Sequence, residues 1–258
     1  MKEYIPKKIN YRKERNLSPE FFIGKLYWLG KALIYILILL ITKPSRKSIL
    51  LAQLILQVTP QYTMLSFSRL ANLYNLVIQA NKLGIEGDII ECGVWNGGSA
   101  AVMGCANNSV KNTVSEKREI WLFDSFAGLP KPSEHDDLIE KEKFAGLFKG
   151  SVENVKRIFK TLNLSLDNAH IVEGWFGETL RAASIKNIAL LHIDADLYDS
   201  VKACLDNLYD KISSGGFLVC DDYVWAGSRQ AINDFIKERK IKNVKLTIID
   251  GSVYFQKR

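Results

Sequence analysis

From Gly87 to the carboxyl terminus, short apolar runs alternate with longer amphipathic ones. The apolar runs are Asp88–Cys92, Ile120–Phe123, His170–Val172, Ala189–Ile193, Phe217–Cys220 and Leu246–Ile249. Between them, Ser99–Cys105, Val152–Leu162, Ser200–Ile212 and Arg229–Arg239 place apolar residues at helical spacing. Strands separated by helices of that length predict an α/β fold with a doubly wound, mostly parallel sheet. Asp250-Gly251 reads as a tight hairpin turn that brings Val253–Gln256 back antiparallel, as a seventh strand. No internal repeat interrupts this order.

The segment before Gly87 has a different composition. The 258-residue chain has a formal net charge of +7, which at face value invites a nucleic-acid partner. The charge is not shared evenly. Residues 1–80 carry 12 Lys+Arg and 3 Asp+Glu, a net +9; residues 81–258 carry 23 and 25, a net −2. The larger part is slightly acidic, so no nucleic-acid groove is expected there.

Within the basic part, an apolar stretch runs from Phe21 to Ile41, broken by Lys25 and Lys31. A membrane span needs about 20 predominantly apolar residues. This stretch reaches that length only with both lysines inside it. The long polar start and the lack of a small-residue cleavage site argue against a cleaved signal peptide. Three arrangements fit: a basic anchor lying in the membrane interface with Tyr27 and Trp28 at headgroup depth, a marginal span, or a helix covered by another subunit. Ile49–Val58 is a second apolar run, stopped at Pro60. Ser66–Leu83 then reads as an amphipathic helix with Ser66 as its N-cap and Gly84 as its stop. The expected organisation is a helical extension over residues 1–59 and a catalytic domain over residues 60–258.

Ligands of such a sheet bind beyond the carboxyl ends of its strands. After the first strand comes Glu91-Cys92-Gly93-Val94-Trp95-Asn96-Gly97-Gly98-Ser99. Its glycines allow a tight turn, but the spacing is not that of a pyrophosphate loop. An acid just before the turn suits a cationic ligand such as the ammonium and sulfonium of S-adenosylmethionine. Asp124, after the second strand, stands where a carboxylate holds a ribose diol; an Asx turn is the plainer alternative. Asp194 and Asp196 follow the fourth strand, and Asp221 and Asp222 follow the fifth. Neighbouring strands lie about 4.8 Å apart. Carboxylates that close repel unless a cation sits among them, and a hard divalent ion such as Mg²⁺ suits oxygen ligands. Asp199 or Ser200 is expected to cap the helix that follows. Cys92, Cys105, Cys204 and Cys220 form no CxxC pair, and His135, His170 and His192 stand at no zinc spacing from them, so the thiols read as small core residues.

These motifs resemble the macrocin O-methyltransferase (TylF/MycF-type) family, whose members have the Rossmann-like class I methyltransferase fold. The matching stretches are Tyr62-Thr63-Met64 with Arg69-Leu70, GDIIECGVWNGGSA (87–100), LFDSFAGLPKP (122–132), GWFGETL (174–180), LHIDADLYDSV (191–201) and GGFLVCDDYVWAGSRQAINDF (215–235). The resemblance implies an enzyme that uses S-adenosylmethionine and Mg²⁺ to methylate a sugar hydroxyl. It implies that Glu91, Gly93, Gly97 and Ser99 hold the methionyl part of the cofactor, and that Asp124 and Ser125 hold the ribose. Trp175 would lie near the adenine, with Thr63 and Met64 in a lid over the cofactor. Asp194, Asp221 and Asp222 would bind Mg²⁺, and Asp196 would act as general base, so that Asp194 and Asp196 form the catalytic pair.

The charged segment Ser133–Lys149 is variable in the family and is expected to shape the acceptor pocket. The acceptor expected is a small-molecule or lipid-linked sugar. A homo-oligomer, a cytoplasmic location and peripheral contact with the inner face of the membrane through residues 1–58 complete the expectation. Two other readings stay open on these residues: a catechol-type enzyme acting on an aromatic diol, and a non-catalytic, cofactor-binding, membrane-associated subunit. A nicotinamide oxidoreductase is disfavoured by the GVWNGGS loop.

Overall fold

The computed structural model describes residues 30, 33, 34, 37, 41, 45–110, 118–136 and 144–258. Most of the Phe21–Ile41 stretch, and residues 137–143 of the segment expected to shape the acceptor pocket, lie outside the described residues. Among the described residues, no helix is long and apolar enough to cross a membrane.

Seven strands form one sheet: β1 (Asp88–Cys92), β2 (Ile120–Asp124), β3 (Ala169–Glu173), β4 (Ile188–Ile193), β5 (Ile212–Cys220), β6 (Thr247–Ile249) and β7 (Ser252–Gln256). Their order is β3-β2-β1-β4-β5-β7-β6. The first five strands are parallel, and β7 runs antiparallel to both β5 and β6. Asp250 and Gly251 make the hairpin with positive φ, 49° and 85°, as their turn residues require.

The helices are α1 (Arg46–Val58), α2 (Phe67–Lys82), α3 (Gly98–Asn108), α4 (Val152–Thr161), α5 (Phe176–Ala182), α6 (Tyr198–Leu208) and α7 (Ala226–Glu238). One face of the sheet packs α1 to α4 around Ile55, Leu70, Leu73, Met103 and Phe159. The other packs α5 to α7 around Leu180, Val201, Leu205, Ile232 and Phe235. Burial of both faces explains why β1 and β4 read as nearly unbroken apolar runs. Cys92, Cys204 and Cys220 are buried in the second layer as free thiols.

Ser66 caps α2 as expected, accepting from the Arg69 N–H at 3.4 Å. The expected cap of α6 is corrected. That helix begins at Tyr198, its N-cap position is Leu197, and neither Asp199 nor Ser200 caps it. The Asp136 carboxylate does so from a distant loop, accepting from the Tyr198 N–H at 2.8 Å. The other oxygen of Asp136 accepts from Ser133 N and Ser133 Oγ, at 2.8 and 3.0 Å. His135 stacks on the Tyr198 ring at 4.1 Å. The strand bound at Phe217 is also corrected: β5 starts at Ile212, and its apolar-poor first part is held where the Gly215 N–H and the Gly216 carbonyl bond to the Lys257 backbone.

Removing a buried cap costs about 1–2 kcal/mol. Asp136→Ala is expected to lower the urea-unfolding free energy by that amount, with Asp136→Asn losing less because its amide oxygen still accepts from Tyr198.

Candidate active site

The strand order reverses between β1 and β4, and the crevice beyond their carboxyl ends is where a doubly wound sheet receives its ligands. At Gly93, φ is +91°, and a Cβ there would overlap the Asp194 carbonyl oxygen. The glycine loop after β1 and the acidic loop after β4 are therefore in direct contact. Gly97 stands in a left-handed conformation as the N-cap of α3. A Cβ at Gly98 would lie 2.6 Å from the Tyr62 carbonyl oxygen, which accepts from the Gly98 N–H at 2.8 Å. That contact lays the Tyr62-Thr63-Met64 segment across the start of α3. Thr63 is buried there and Met64 is exposed.

Asn96 ties these pieces together. Its Oδ1 accepts from Ser151 N and Asn154 Nδ2, at 3.3 and 2.9 Å, and its Nδ2 donates to the Gln61 carbonyl at 3.4 Å. Ser99 is buried in the first turn of α3.

Asp124 ends β2 and already has backbone partners. Its Oδ2 accepts from Val94 N and Trp95 N, each at 2.8 Å, and its Oδ1 accepts from Phe126 N at 2.7 Å. It therefore makes the Asx turn with Phe126 and also fixes the glycine loop. A carboxylate has about four lone-pair directions, so one remains on Oδ1. Ser125 Oγ donates to the Gly128 carbonyl and accepts from Ala127 N, both at 3.1 Å. Trp175 is 45% exposed at the start of α5, and the neighbouring Gly174 N–H donates to the Asp124 carbonyl at 2.9 Å. The structure thus brings Trp175 to the Asp124 end of the sheet.

Asp194, Asp221 and Asp222 come together as expected: each offers one carboxylate oxygen, and these oxygens lie within 4.8 Å of one another. Asp221 and Asp222 are buried, and Asp194 is partly so. Asp222 Oδ2 accepts from the Asp196 N–H at 3.0 Å, which pins Asp196 with φ +57° beside the cluster. Burial, then Asp222, Asp221, Asp196 and Glu91, hold the Asp194 carboxyl well above the usual carboxylate range. Burial and the neighbouring Asp222, Asp221 and Asp124 charges raise Asp196 in the same way. Asp222 is likewise raised, by burial and by Asp221.

Two cationic side chains to which the sequence motifs assign no role stand at this cluster. Arg69, on α2, donates from Nη1 to Asp221 Oδ2 at 2.6 Å and from Nε to the Asp250 carbonyl at 2.6 Å. It joins α2, the acidic cluster and the β6–β7 hairpin. His192 is fully buried on β4, with its Nδ1 2.9 Å from Glu91 Oε1 and its Nε2 4.0 Å from Asp221 Oδ1. Burial alone would lower its pKa, but Asp221 and Glu91 outweigh it and raise it to about 9, so Nδ1–H donates to Glu91. A histidine inside the apolar run LLHID was a local signal for such a role. Arg69 stood within a stretch that carries the family resemblance, but nothing local pointed it at Asp221.

The donor set fits a divalent cation. All the ligand atoms are carboxylate oxygens, which suit a hard ion. Asp221 Oδ1 is buried without a hydrogen-bond partner. Arg69 and His192 do not offset the charge gathered here, and burial beside like charges raises the proton affinities of Asp194, Asp196 and Asp222.

This strand order, with an antiparallel seventh strand and ligand-bearing loops at the carboxyl ends, defines a Rossmann-like methyltransferase. The particular family follows from comparison with known proteins. A family model described as "Macrocin-O-methyltransferase (TylF)" matches residues 57–257. The chain belongs to that family and is an O-methyltransferase. It is 32% identical over 198 residues to the 8-demethyl-8-(2,3-dimethoxy-alpha-L-rhamnosyl)-tetracenomycin-C 4'-O-methyltransferase of Streptomyces olivaceus, covering 75% of this chain and 74% of that one. It is 30% identical over 205 residues to the mycinamicin III 3''-O-methyltransferase of Micromonospora griseorubida, covering 77% and 80%. Among solved structures, the O-methyltransferase NovP superposes with a TM-score of 0.66 at 31% identity, over 76% of this chain and 82% of NovP. The calicheamicin methyltransferase CalS11 shares the fold, with a TM-score of 0.62 at 19% identity, over 98% and 99%.

A carboxyl whose folded pKa lies above its unfolded value of about 3.9 weakens the fold as pH rises, because the native state binds the proton more tightly. In protein stripped of divalent ions, Asp194→Asn is therefore expected to melt several degrees above wild type at pH 8. The gap should shrink as the pH falls towards about 4. Calorimetry across that range checks this; a variant no more stable at pH 8 would show that Asp194 is already well paired.

Proposed function

We propose that this O-methyltransferase moves the methyl group of S-adenosylmethionine to a sugar hydroxyl of a glycoside, glycolipid or natural product, with Mg²⁺ at the acidic cluster. One observation carries the reading: three carboxylates of β4 and β5 converge within 4.8 Å in the crevice where Glu91 leaves a buried oxygen unpartnered. When bound, S-adenosylmethionine supplies an electrophilic methyl on a sulfonium, and Mg²⁺ lowers the pKa of a nearby hydroxyl.

The chain's own residues hold and orient these groups. Glu91 Oε2 accepts from the cofactor ammonium, while Oε1 keeps its bond to His192. Gly93, Gly97 and Ser99 form the wall along the methionyl part, with Gly93 packed so closely that a side chain there would strike the Asp194 carbonyl. Asp124 takes a ribose hydroxyl on its remaining lone pair, with Ser125 in the same turn. The exposed Trp175 ring lies along the adenine. Thr63 and Met64 cover the cofactor from the segment bound to α3 and exclude water. Asp194, Asp221 and Asp222 hold the cation. Asp196, its backbone fixed by Asp222, accepts the hydroxyl proton; its raised pKa brings it nearer the pH at which a base works well. Fixing acceptor and donor in line supplies the remaining advantage.

The Streptomyces olivaceus relative is named for a rhamnosyl tetracenomycin, which supports a glycoside over an aromatic diol. Offering rhamnosides and catechols side by side with labelled S-adenosylmethionine separates the two. The Asp194→Ala and Asp222→Ala variants are expected to lose transfer while keeping cofactor affinity within a few-fold. Full activity in either would remove the cation site. The Asp196→Asn variant should lower kcat by about 10²–10⁴-fold with little change in Mg²⁺ affinity; an unaltered rate would exclude it as the base.

The N-terminal surface suggests where the acceptor is made. Leu33, Ile34, Leu37 and Ile41 are exposed helical residues, as are Ile49 and Leu50 on α1, in a segment whose net charge is +9. We take this as peripheral contact with the inner face of the membrane and with a lipid-linked sugar. The intact chain should sediment with anionic vesicles at low salt and be released at about 0.5 M NaCl, as screening removes the attraction. If it stays in solution with anionic vesicles, the surface belongs to a second copy instead.

A further inference from the structure

Six buried side-chain atoms lack a hydrogen-bond partner among the described residues, and three of them form one run: Glu91 Oε2, His192 Nε2 and Asp221 Oδ1. The run crosses three adjacent elements. Glu91 and His192 face each other across β1 and β4, and Asp221 follows the end of β5, which pairs with β4. All three side chains are at most 2% exposed. The imidazole bridges the two carboxylates: Nδ1 is 2.9 Å from Glu91, and Nε2 is 4.0 Å from Asp221, too long for a hydrogen bond and within range of an ion pair.

An unmade hydrogen bond in a buried place is costly. One end of this run lies at the carboxylate assigned to the cofactor ammonium, the other at a carboxylate assigned to the cation. Arg69 holds only the far oxygen of Asp221, Oδ2, and leaves the oxygen facing His192 open.

We propose that His192 is a positioning residue that couples the two subsites, so that occupying the cofactor end at Glu91 and the cation end at Asp221 favour each other. This inference rests on the assignment of those two ends above. A ligand at Glu91 Oε2 fixes that carboxylate, and with it the imidazole bonded to Oε1. A fixed imidazole presents Nε2 to Asp221 and settles the orientation the cation requires. The ligand bound second then pays less ordering cost, and linkage makes the effect equal in both directions. Two-site couplings of this kind are typically about 5–150-fold in affinity.

The test is calorimetric titration of the full chain with S-adenosylhomocysteine, with and without Mg²⁺, and the reciprocal titration with Mg²⁺. It reads binding alone. For wild type, Mg²⁺ should tighten S-adenosylhomocysteine binding at least fivefold, with the same factor in reverse. His192→Asn keeps an amide donor for Glu91 but nothing that reaches Asp221. It should bind S-adenosylhomocysteine with nearly wild-type affinity in the absence of Mg²⁺ and show a factor near one when Mg²⁺ is added. A merely structural histidine would weaken both titrations and leave the factor intact, which would overturn the proposal. A wild-type factor near one overturns it without any variant. If S-adenosylhomocysteine fails to bind wild type at all, the cofactor assignment itself falls, and the coupling with it.

Discussion

Five carboxylates crowd the carboxyl ends of β1, β4 and β5, and among the described residues two cationic side chains, Arg69 and His192, are placed among them. Burying like charges is one of the costliest things a fold can do. The molecule tolerates it because a rigid sheet, apolar on both faces, fixes where each carboxylate can go. The acids follow strands whose interiors are fully buried, so the repulsion cannot be relieved by letting strand ends fray. It shows instead in Asp194, Asp196 and Asp222, whose carboxyls hold their protons to higher pH than an exposed aspartate does.

The glycine loop and the acidic loop are two halves of one object. The backbone at Gly93 touches the backbone at Asp194, and Asp124 binds the N–H groups of Val94 and Trp95 from the third side. Arg69 adds the helix that precedes the sheet, and Asn96 adds the segment that leads into it. Residues from five separate stretches are therefore locked by a handful of short contacts, most of which engage backbone groups. Such pre-arrangement is what a transfer reaction with strict in-line geometry needs.

Much of this was legible beforehand because it is local. Apolar runs became strands almost residue for residue, Ser66 capped its helix, and Asp250-Gly251 turned the hairpin. The acidic cluster was legible too, since the strands that carry Asp194 and Asp221 had to be neighbours. What escaped was long-range. The cap of α6 comes from Asp136, 62 residues away, so Asp199 and Ser200 looked like the natural candidates. The first part of β5 has no apolar pattern, because Gly215 is held by a bond to the Lys257 carbonyl and not by side-chain packing. Asp124 was recognised as a strand-end acid, but its hold on the glycine loop depends on a crossing that no spacing encodes. Arg69 meets its partner across 152 residues.

The Asp136 clamp also acts as a mechanical anchor. On one side, Ser133 and Asp136 are bonded to each other and to the start of α6. On the other, Leu129 and Gly146 to Leu147 exchange backbone bonds. A pull on either side meets these bonds first, so the first turn of α6 is shielded much as a strain relief protects the joint at the end of a cable.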